Sequence, residues 1–217
     1  MWFLYMLCGL YMTTPLLRKI TEDKKLTEYF LLLAFVFALM TPFADLFFAN
    51  QPFKTRIVGK MHLQMVLGYQ FYYVVGFYLG KYGLRRRHEI TVFALGAIGF
   101  LFMVAGTRHM AIKNADAYTH CYAHLLPGTA FYTMAVFMAF KNTRLKLNAK
   151  AKNAVSLLAK LSFGIYLVHL FVLRQMLADV WANPAVDIPY KTIVVFTASA
   201  VIVFVISKIP VLNKYIM

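Results

Sequence analysis

Three polar side chains near the carboxyl-terminal end of the sequence are spaced so that they could act together. Ser162, Tyr166 and His169 stand at i, i+4 and i+7, positions that share one face of an α-helix. An imidazole can accept or donate a proton near neutral pH, so His169 is suited to acid–base chemistry. The functional interpretation is a polar stripe that lines a buried cavity. The alternative, which spacing alone favours, is a histidine that only hydrogen-bonds a neighbouring helix.

Other motifs for chemistry are few. His120 and His124 could ligate a metal at i and i+4 of a helix, but neither an H-E-x-x-H motif nor paired thiols accompany them. The two cysteines, Cys8 and Cys121, lie far apart in the sequence and indicate no disulfide framework. The sequence has no glycine-rich phosphate loop and no G-x-S-x-G motif for a nucleophilic serine. We therefore predict no metal site.

Long apolar segments carry these residues. Of the 217 residues, 61% are hydrophobic and 14% are charged, whereas a soluble domain carries about 25% charged residues. Helices are the only spanning choice for such segments, because lipid offers the backbone no hydrogen-bond partners, and each span needs about 20 residues. The sequence predicts an all-α polytopic transmembrane helix bundle of about seven spans, over residues 1–17, 29–49, 61–82, 90–107, 122–140, 161–180 and 190–209.

Positive charge predicts the orientation of these segments. The chain has 23 Lys and Arg residues against 8 Asp and Glu residues, and the positive charges lie in short clusters between the apolar segments. Most of them fall on one side of a seven-span arrangement, including Arg85, Arg86 and Arg87. Basic loops stay in the cytoplasm, so we expect a cytoplasmic carboxyl terminus and an external amino terminus. Charge placed in this way argues against a nucleic-acid partner.

Three stretches resemble one family, the membrane-bound acyltransferase 3 family. Residues 2–17, which begin Trp-Phe-Leu-Tyr, are similar to a family helix that ends in a Thr-Pro-Leu turn. Residues 72–81 are similar to a second family helix, which is rich in phenylalanine and contains Gly-Tyr-Tyr-Leu-Gly. Residues 161–169, Leu-Ser-Phe-Gly-Ile-Tyr-Leu-Val-His, closely match the family's Ser-x-Gly-Ile-Tyr-Leu-x-His signature. The third match is specific, and together the three stretches frame nearly the whole chain.

The resemblance implies an O-acyltransferase of the bacterial inner membrane. Such proteins move an acyl group, often acetyl, from cytoplasmic acyl-CoA to a hydroxyl of a surface polysaccharide or its lipid-linked precursor. It implies that Ser162, Tyr166 and His169 line the central cavity, which reverses the preference from spacing alone. Arg85, Arg86 and Arg87 could then bind the phosphates of acyl-CoA, although basic inner loops explain the same residues without a ligand. Acyl-CoA is a donor substrate here, and no bound cofactor is expected.

The resemblance also predicts that more protein precedes this sequence. The family has about ten membrane helices, and its presumed catalytic histidine and partner arginine lie in the first of them. Residues 1–217 match the remaining helices of the family, as a single domain. We therefore expect this chain to be the carboxyl-terminal part of a larger enzyme. We also expect it to lack the general base that deprotonates the acceptor hydroxyl, and so to be inactive by itself.

A non-enzymatic membrane protein is the alternative. A small transporter or a sensor could use Pro42 and Pro127 to break its helices and His169 to relay protons. Binding of acetyl-CoA separates the two hypotheses, because a transporter of this kind has no reason to bind it.

Overall fold

The described part of the chain is built from helices alone. The computed structural model describes residues 2–47, 59–61, 68–114, 120–143, 148–176 and 183–208. Short 3₁₀ turns cover Gly59–Met61 and His120–Tyr122, and a π-helical segment covers Phe35–Met40. The α-helices are α1 (Trp2–Glu22), α2 (Lys24–Ala34), α3 (Thr41–Phe47), α4 (Gln70–Lys81), α5 (Arg86–Asn114), α6 (Pro127–Asn142), α7 (Ala149–Met176) and α8 (Pro184–Ser207).

The chain divides into two compact units, Met1–Arg144 and Leu145–Met217. The first unit contains α1 to α6, and its buried core joins Leu17 of α1, Phe30 of α2, Val74 of α4 and Met138 of α6. The second unit contains α7 and α8, which pack through Leu161, Ile165 and Val203. The prediction of a single domain over residues 1–217 stays a prediction.

Proline changes the helical geometry of the second apolar segment. Pro42 has no N–H to donate to the carbonyl four residues before it, and its ring crowds the same turn. The backbone widens into the π-helical segment Phe35–Met40 immediately before this residue and then continues as α3. Insertions of this kind let a helix pass a proline without ending. The segment therefore stays continuous enough to cross a membrane, over Lys24–Leu46.

Two other prolines occupy helical positions that the sequence did not predict. Pro15 does not end α1 in a turn, because the helix continues through it to Glu22 while the hydroxyls of Thr13 and Thr14 donate to the carbonyl of Leu10. Pro127 is not inside a span, because it stands at the start of α6, where a missing N–H costs nothing. The fifth apolar segment is consequently a helix of 16 residues, about 24 Å long.

Polar side chains of α4 find partners on other elements of the first unit. The hydroxyl of Tyr72 donates to the carbonyl of His124, and the hydroxyl of Tyr78 donates to Glu28 of α2 at 2.7 Å. The ammonium of Lys141, in the last turn of α6, donates to the carbonyl of Leu79 at the end of α4. Since a buried hydroxyl or carbonyl without a partner is costly, these bonds hold α4 against α2 and α6.

Glycines bring α5 and α6 into backbone contact. A Cβ atom added at Gly99 would stand 2.5 Å from the carbonyl oxygen of Gly128, and one added at Gly96 would stand 2.8 Å from the Cβ of Ala135. Small residues permit such close packing within membranes. The spacing of Gly76 and Gly80 also predicts a close helix approach. Among the described residues no such approach is present, because none of their atoms lies within 4 Å of a Cβ at either position.

The described helices have the dimensions and surfaces of membrane spans. Four of them are long and apolar enough to cross a bilayer, namely Lys24–Leu46, Arg86–Lys113, Ala149–Gln175 and Ala185–Ser207. Large apolar side chains on their surfaces, such as Leu101, Phe171 and Ile193, are exposed, as expected of residues that face lipid. The predicted all-α membrane fold is confirmed. The count of seven spans stays a prediction.

We predict that one methyl group at Gly99 destabilises the first unit. Gly99→Ala should lower the free energy of unfolding by about 1–3 kcal/mol, because α5 and α6 must separate to admit the Cβ. The measurement is the melting temperature in detergent. Gly76→Ala is the matched control and should not lower it, because its Cβ meets no atom of the described residues and alanine favours helix. Equal melting temperatures for both variants would contradict the contact.

Candidate functional site

The second unit carries the polar stripe of the signature on an uninterrupted helix. α7 extends over 28 residues, with a basic first part, Ala149–Lys160, that is mostly exposed. The basic stretch from Ala149 onward is therefore the start of α7 and not a separate helix at the membrane surface. Its buried face, with Leu161 and Ile165, packs on Val203 of α8. Ser162, Tyr166 and His169 lie beside this contact.

A groove of about 560 Å³ runs along α7 and α8. Its polar lining consists of the three residues of the stripe together with Lys191 and Thr192 of α8. Its remaining lining is apolar, from Ile165, Leu173, Ile188, Val195 and Phe196. The structure therefore brings Ser162, Tyr166 and His169 together on one groove, as their spacing predicted. Their roles in catalysis stay predictions.

Hydrogen bonding orients the imidazole of His169. Its Nδ1 contacts the backbone carbonyl of Tyr166, one turn earlier on α7. A carbonyl oxygen can only accept, so Nδ1 carries the hydrogen, and in the neutral imidazole Nε2 then keeps its lone pair. The Tyr166 ring packs beside the imidazole, with 5.2 Å between the ring centroids. In this tautomer, Nε2 can accept a hydrogen bond from a hydroxyl of a bound molecule.

The two small hydroxyls of the groove donate to their own helices. Ser162 donates to the carbonyl of Ala159 at 2.8 Å, and Thr192 donates to the carbonyl of Ile188 at 2.8 Å. These bonds satisfy the hydrogens of both side chains within the helix that carries them. Each oxygen keeps a lone pair toward the groove. This lone pair can accept a hydrogen bond from a ligand hydroxyl.

Lys191 of the groove lining belongs to an ion pair that the sequence patterns did not predict. Lys191 and Asp187, one turn apart on α8, stand 2.6 Å apart at their charged atoms, with side chains only 18% and 11% exposed. The segment prediction began α8 at Tyr190, whereas the helix begins at Pro184, after Asn183, whose side chain accepts from the N–H of Ala185. The sequence did contain a signal for this helix start and this pair. Asn183 and Pro184 are typical of a helix start, and Asp187 and Lys191 follow at i and i+4.

The three arginines predicted to bind phosphate lie in the first unit. Arg85 precedes α5, and Arg86 and Arg87 begin it, all with exposed side chains. The turn before them needs Gly83, whose φ of +66° is strained for other residues. A helix amino terminus carries partial positive charge, so the backbone here adds to the attraction of the arginines for an anion.

The histidines near the first unit's second 3₁₀ turn are not arranged as a metal site. His120 lies within the turn and His124 beyond it, so they do not occupy one helix face. Cys121 is buried against Gly106, and burial raises the pKa of its thiol, which disfavours the thiolate that metals bind. Within the described ranges, no three His, Cys, Asp or Glu side chains cluster closely enough to hold a metal ion.

Comparison with known proteins adds one match. A family model described as an acyltransferase domain, the acyltransferase 3 family, matches residues 1–210, nearly the whole chain and both of its units. No curated protein matches the chain, and no solved structure does. The match confirms the resemblance that the three sequence stretches indicated.

We predict that breaking the Asp187–Lys191 pair destabilises the second unit. Asp187→Asn should lower the free energy of unfolding by about 3 kcal/mol, because it leaves a mostly buried ammonium without its carboxylate. Thermal unfolding in detergent measures the loss.

Two further variants test that interpretation of the pair. Glu22→Gln removes the carboxylate of an exposed pair with Lys19 and should cost less than about 1 kcal/mol. The double variant Asp187→Asn with Lys191→Met should recover most of the loss, because no unpaired charge remains buried. If Asp187→Asn cost no more than Glu22→Gln, the pair would not be buried as described.

Proposed function

The chain belongs to the acyltransferase 3 family of membrane acyltransferases, and we propose on that premise that it serves O-acyl transfer from acyl-CoA to a sugar hydroxyl. The acyl group proposed is acetyl. The acceptor is a surface polysaccharide or its lipid-linked precursor. The observation that carries the proposal is the family match over residues 1–210, which includes the groove of α7 and α8.

The groove suits a sugar because it offers hydrogen-bond acceptors between apolar walls. Nε2 of His169 and the hydroxyl oxygens of Ser162 and Thr192 can each accept from a sugar hydroxyl. Sites for small molecules are commonly apolar with a few polar groups that fix orientation. The role proposed for His169 is to position the acceptor sugar by accepting, through Nε2, a hydrogen bond from a hydroxyl beside the one that attacks.

The chemical step exchanges a thioester for an ester. The acceptor oxygen attacks the thioester carbonyl carbon, a C–O bond forms and the C–S bond breaks. The acceptor proton leaves to a base, and the thiolate of CoA takes up a proton. Within this step His169 holds the sugar through a neighbouring hydroxyl, and the base that takes the proton of the attacking hydroxyl is proposed to lie outside the groove.

The arginines at the start of α5 are proposed to bind the phosphates of acyl-CoA. Their guanidinium groups are exposed beside a helix amino terminus, and guanidinium binds phosphate through paired hydrogen bonds. The same residues are proposed to lie on the cytoplasmic face, where acyl-CoA is made, by the positive-inside rule. The protein would then lie in a bacterial inner membrane with its carboxyl terminus in the cytoplasm.

We expect His169→Ala to lower acyl transfer by about 100-fold, because the acceptor sugar loses the hydrogen bond that positions it in the groove. Membranes that contain the full-length protein are incubated with acetyl-CoA labelled in the acetyl group, and alkali-labile label on polysaccharide is counted. Phe171→Ala is the control, since Phe171 is exposed on the same helix and lies outside the groove lining. Transfer by His169→Ala at the parent rate would remove His169 from the mechanism. A full-length parent protein that neither binds acetyl-CoA nor transfers label would contradict the proposed function.

Replacing all three arginines by lysine should weaken acetyl-CoA binding about tenfold. Lysine keeps the positive charge that orients the chain but lacks the planar fork that binds phosphate through two bonds. Binding of labelled acetyl-CoA to the purified chain in nanodiscs measures the effect. The control changes Lys150, Lys152 and Lys160, exposed on α7, to arginine. An unchanged dissociation constant for the triple lysine variant would show that the arginines serve orientation alone.

A further inference from the structure

A second groove in the first unit lies beside the contact of α5 with α6. It has a volume of about 640 Å³. Its lining on α5 begins at Phe100 (position i) and ends at Ala111 (i+11). The lining residues between them stand at i+3, i+4, i+7 and i+8, so all six share a single face of the helix. On α6 it is lined by Thr129, Tyr132 and Thr133. This groove shares no residue with the one on α7 and α8, and the proposed acyl transfer does not use it.

The groove has the depth of one leaflet of a bilayer. At 1.5 Å per residue, Arg86 and Arg108 are about 33 Å apart along α5, close to the thickness of the hydrocarbon layer. Arg108 therefore lies near the interface opposite the Arg85–Arg87 turn. Phe100 is about 12 Å deeper than Arg108 on the same helix. A groove between these two residues extends from mid-membrane to the opposite interface.

The lining changes from apolar to polar along that depth. At the deep end the ring of Phe100 stacks on Tyr132, with 5.4 Å between centroids, and Val104 is exposed nearby. At the interface the groove is lined by Arg108 and by Tyr122 of the 3₁₀ turn. Thr107 lies beside Arg108, and its buried hydroxyl has no hydrogen-bond partner among the described residues. Apolar walls that end in a guanidinium match a hydrocarbon chain that ends in a phosphate.

We propose that this groove binds an anionic phospholipid of the surrounding bilayer. Its acyl chain lies along Phe100 and Val104, and its phosphate contacts the guanidinium of Arg108. Val104 is exposed, so a lipid can enter sideways without leaving the membrane. Among the described residues no carboxylate forms an ion pair with Arg108, which leaves the guanidinium for a phosphate. A net negative headgroup is favoured because a zwitterionic lipid brings a cation of its own to the same site.

The test compares lipids on the purified chain. The protein is equilibrated in micelles with equal amounts of phosphatidylglycerol and phosphatidylcholine, and bound lipids are counted by native mass spectrometry. The expected preference for phosphatidylglycerol is about fivefold, the effect of one basic residue at a membrane surface. Arg108→Gln should abolish the preference and Arg108→Lys should retain most of it. Arg174→Gln, which removes an exposed arginine of the second unit, should leave it unchanged.

A second pair of variants separates the groove from a lone surface charge. Val104→Trp fills the groove and should reduce bound phosphatidylglycerol with Arg108 intact. Ile98→Trp is the control, since Ile98 is exposed on α5 but does not line the groove. Equal binding by the two tryptophan variants, or a preference that survives Arg108→Gln, would overturn the proposal. So would binding of a polyprenyl phosphate in place of phosphatidylglycerol, because the occupant would then be a carrier lipid. Binding of acetyl-CoA should not change in any of these variants.

Discussion

The absence of water inside a bilayer is the constraint on which the rest of this structure depends. A polar group there has to find its partner within the protein, and the described helices contain several solutions. Hydroxyls of Thr13 and Thr14 bond back to α1, Tyr72 reaches the carbonyl of His124, and Lys141 caps the end of α4. A group that makes such a bond has its hydrogen engaged within the protein and cannot donate it to a ligand. The groove on α7 and α8 differs because its polar atoms keep capacity for a ligand.

That remaining capacity defines what the groove can do. Nδ1 of His169 is engaged by the Tyr166 carbonyl and Nε2 is not fixed by that bond, so the ring is both oriented and usable. The positive charge of Lys191 in the groove lining is neutralised by its ion pair with Asp187. A neutral sugar hydroxyl suits such a site better than a strongly charged molecule. We propose that the phosphates of the donor bind elsewhere, at the exposed arginines at the start of α5.

Sequence patterns predicted the helices and the polar stripe, but not how the helices meet. Ser162, Tyr166 and His169 share a face because helical periodicity requires it, so spacing sufficed there. The Gly99–Gly128 contact depends on which helices are neighbours, and one chain's sequence does not say that Gly76 meets none of the described residues. The Asp187–Lys191 pair was missed because hydropathy places the helix start after the charged turn. Pro127 looked like a break because a capping position and an interior position read alike before the neighbouring turn is known.

The membrane topology is tested most directly by the accessibility of the two ends of α5. His88 and Ile112 are both exposed and lie about 36 Å apart along the helix. Single cysteines at these positions, with Cys8 and Cys121 changed to serine, are treated with a membrane-impermeant maleimide on intact cells and on inverted vesicles. We expect the cysteine at position 112 to react only on intact cells and the cysteine at position 88 to react only on inverted vesicles. Labelling of both from the same side would mean that α5 does not cross the bilayer, and would contradict this topology.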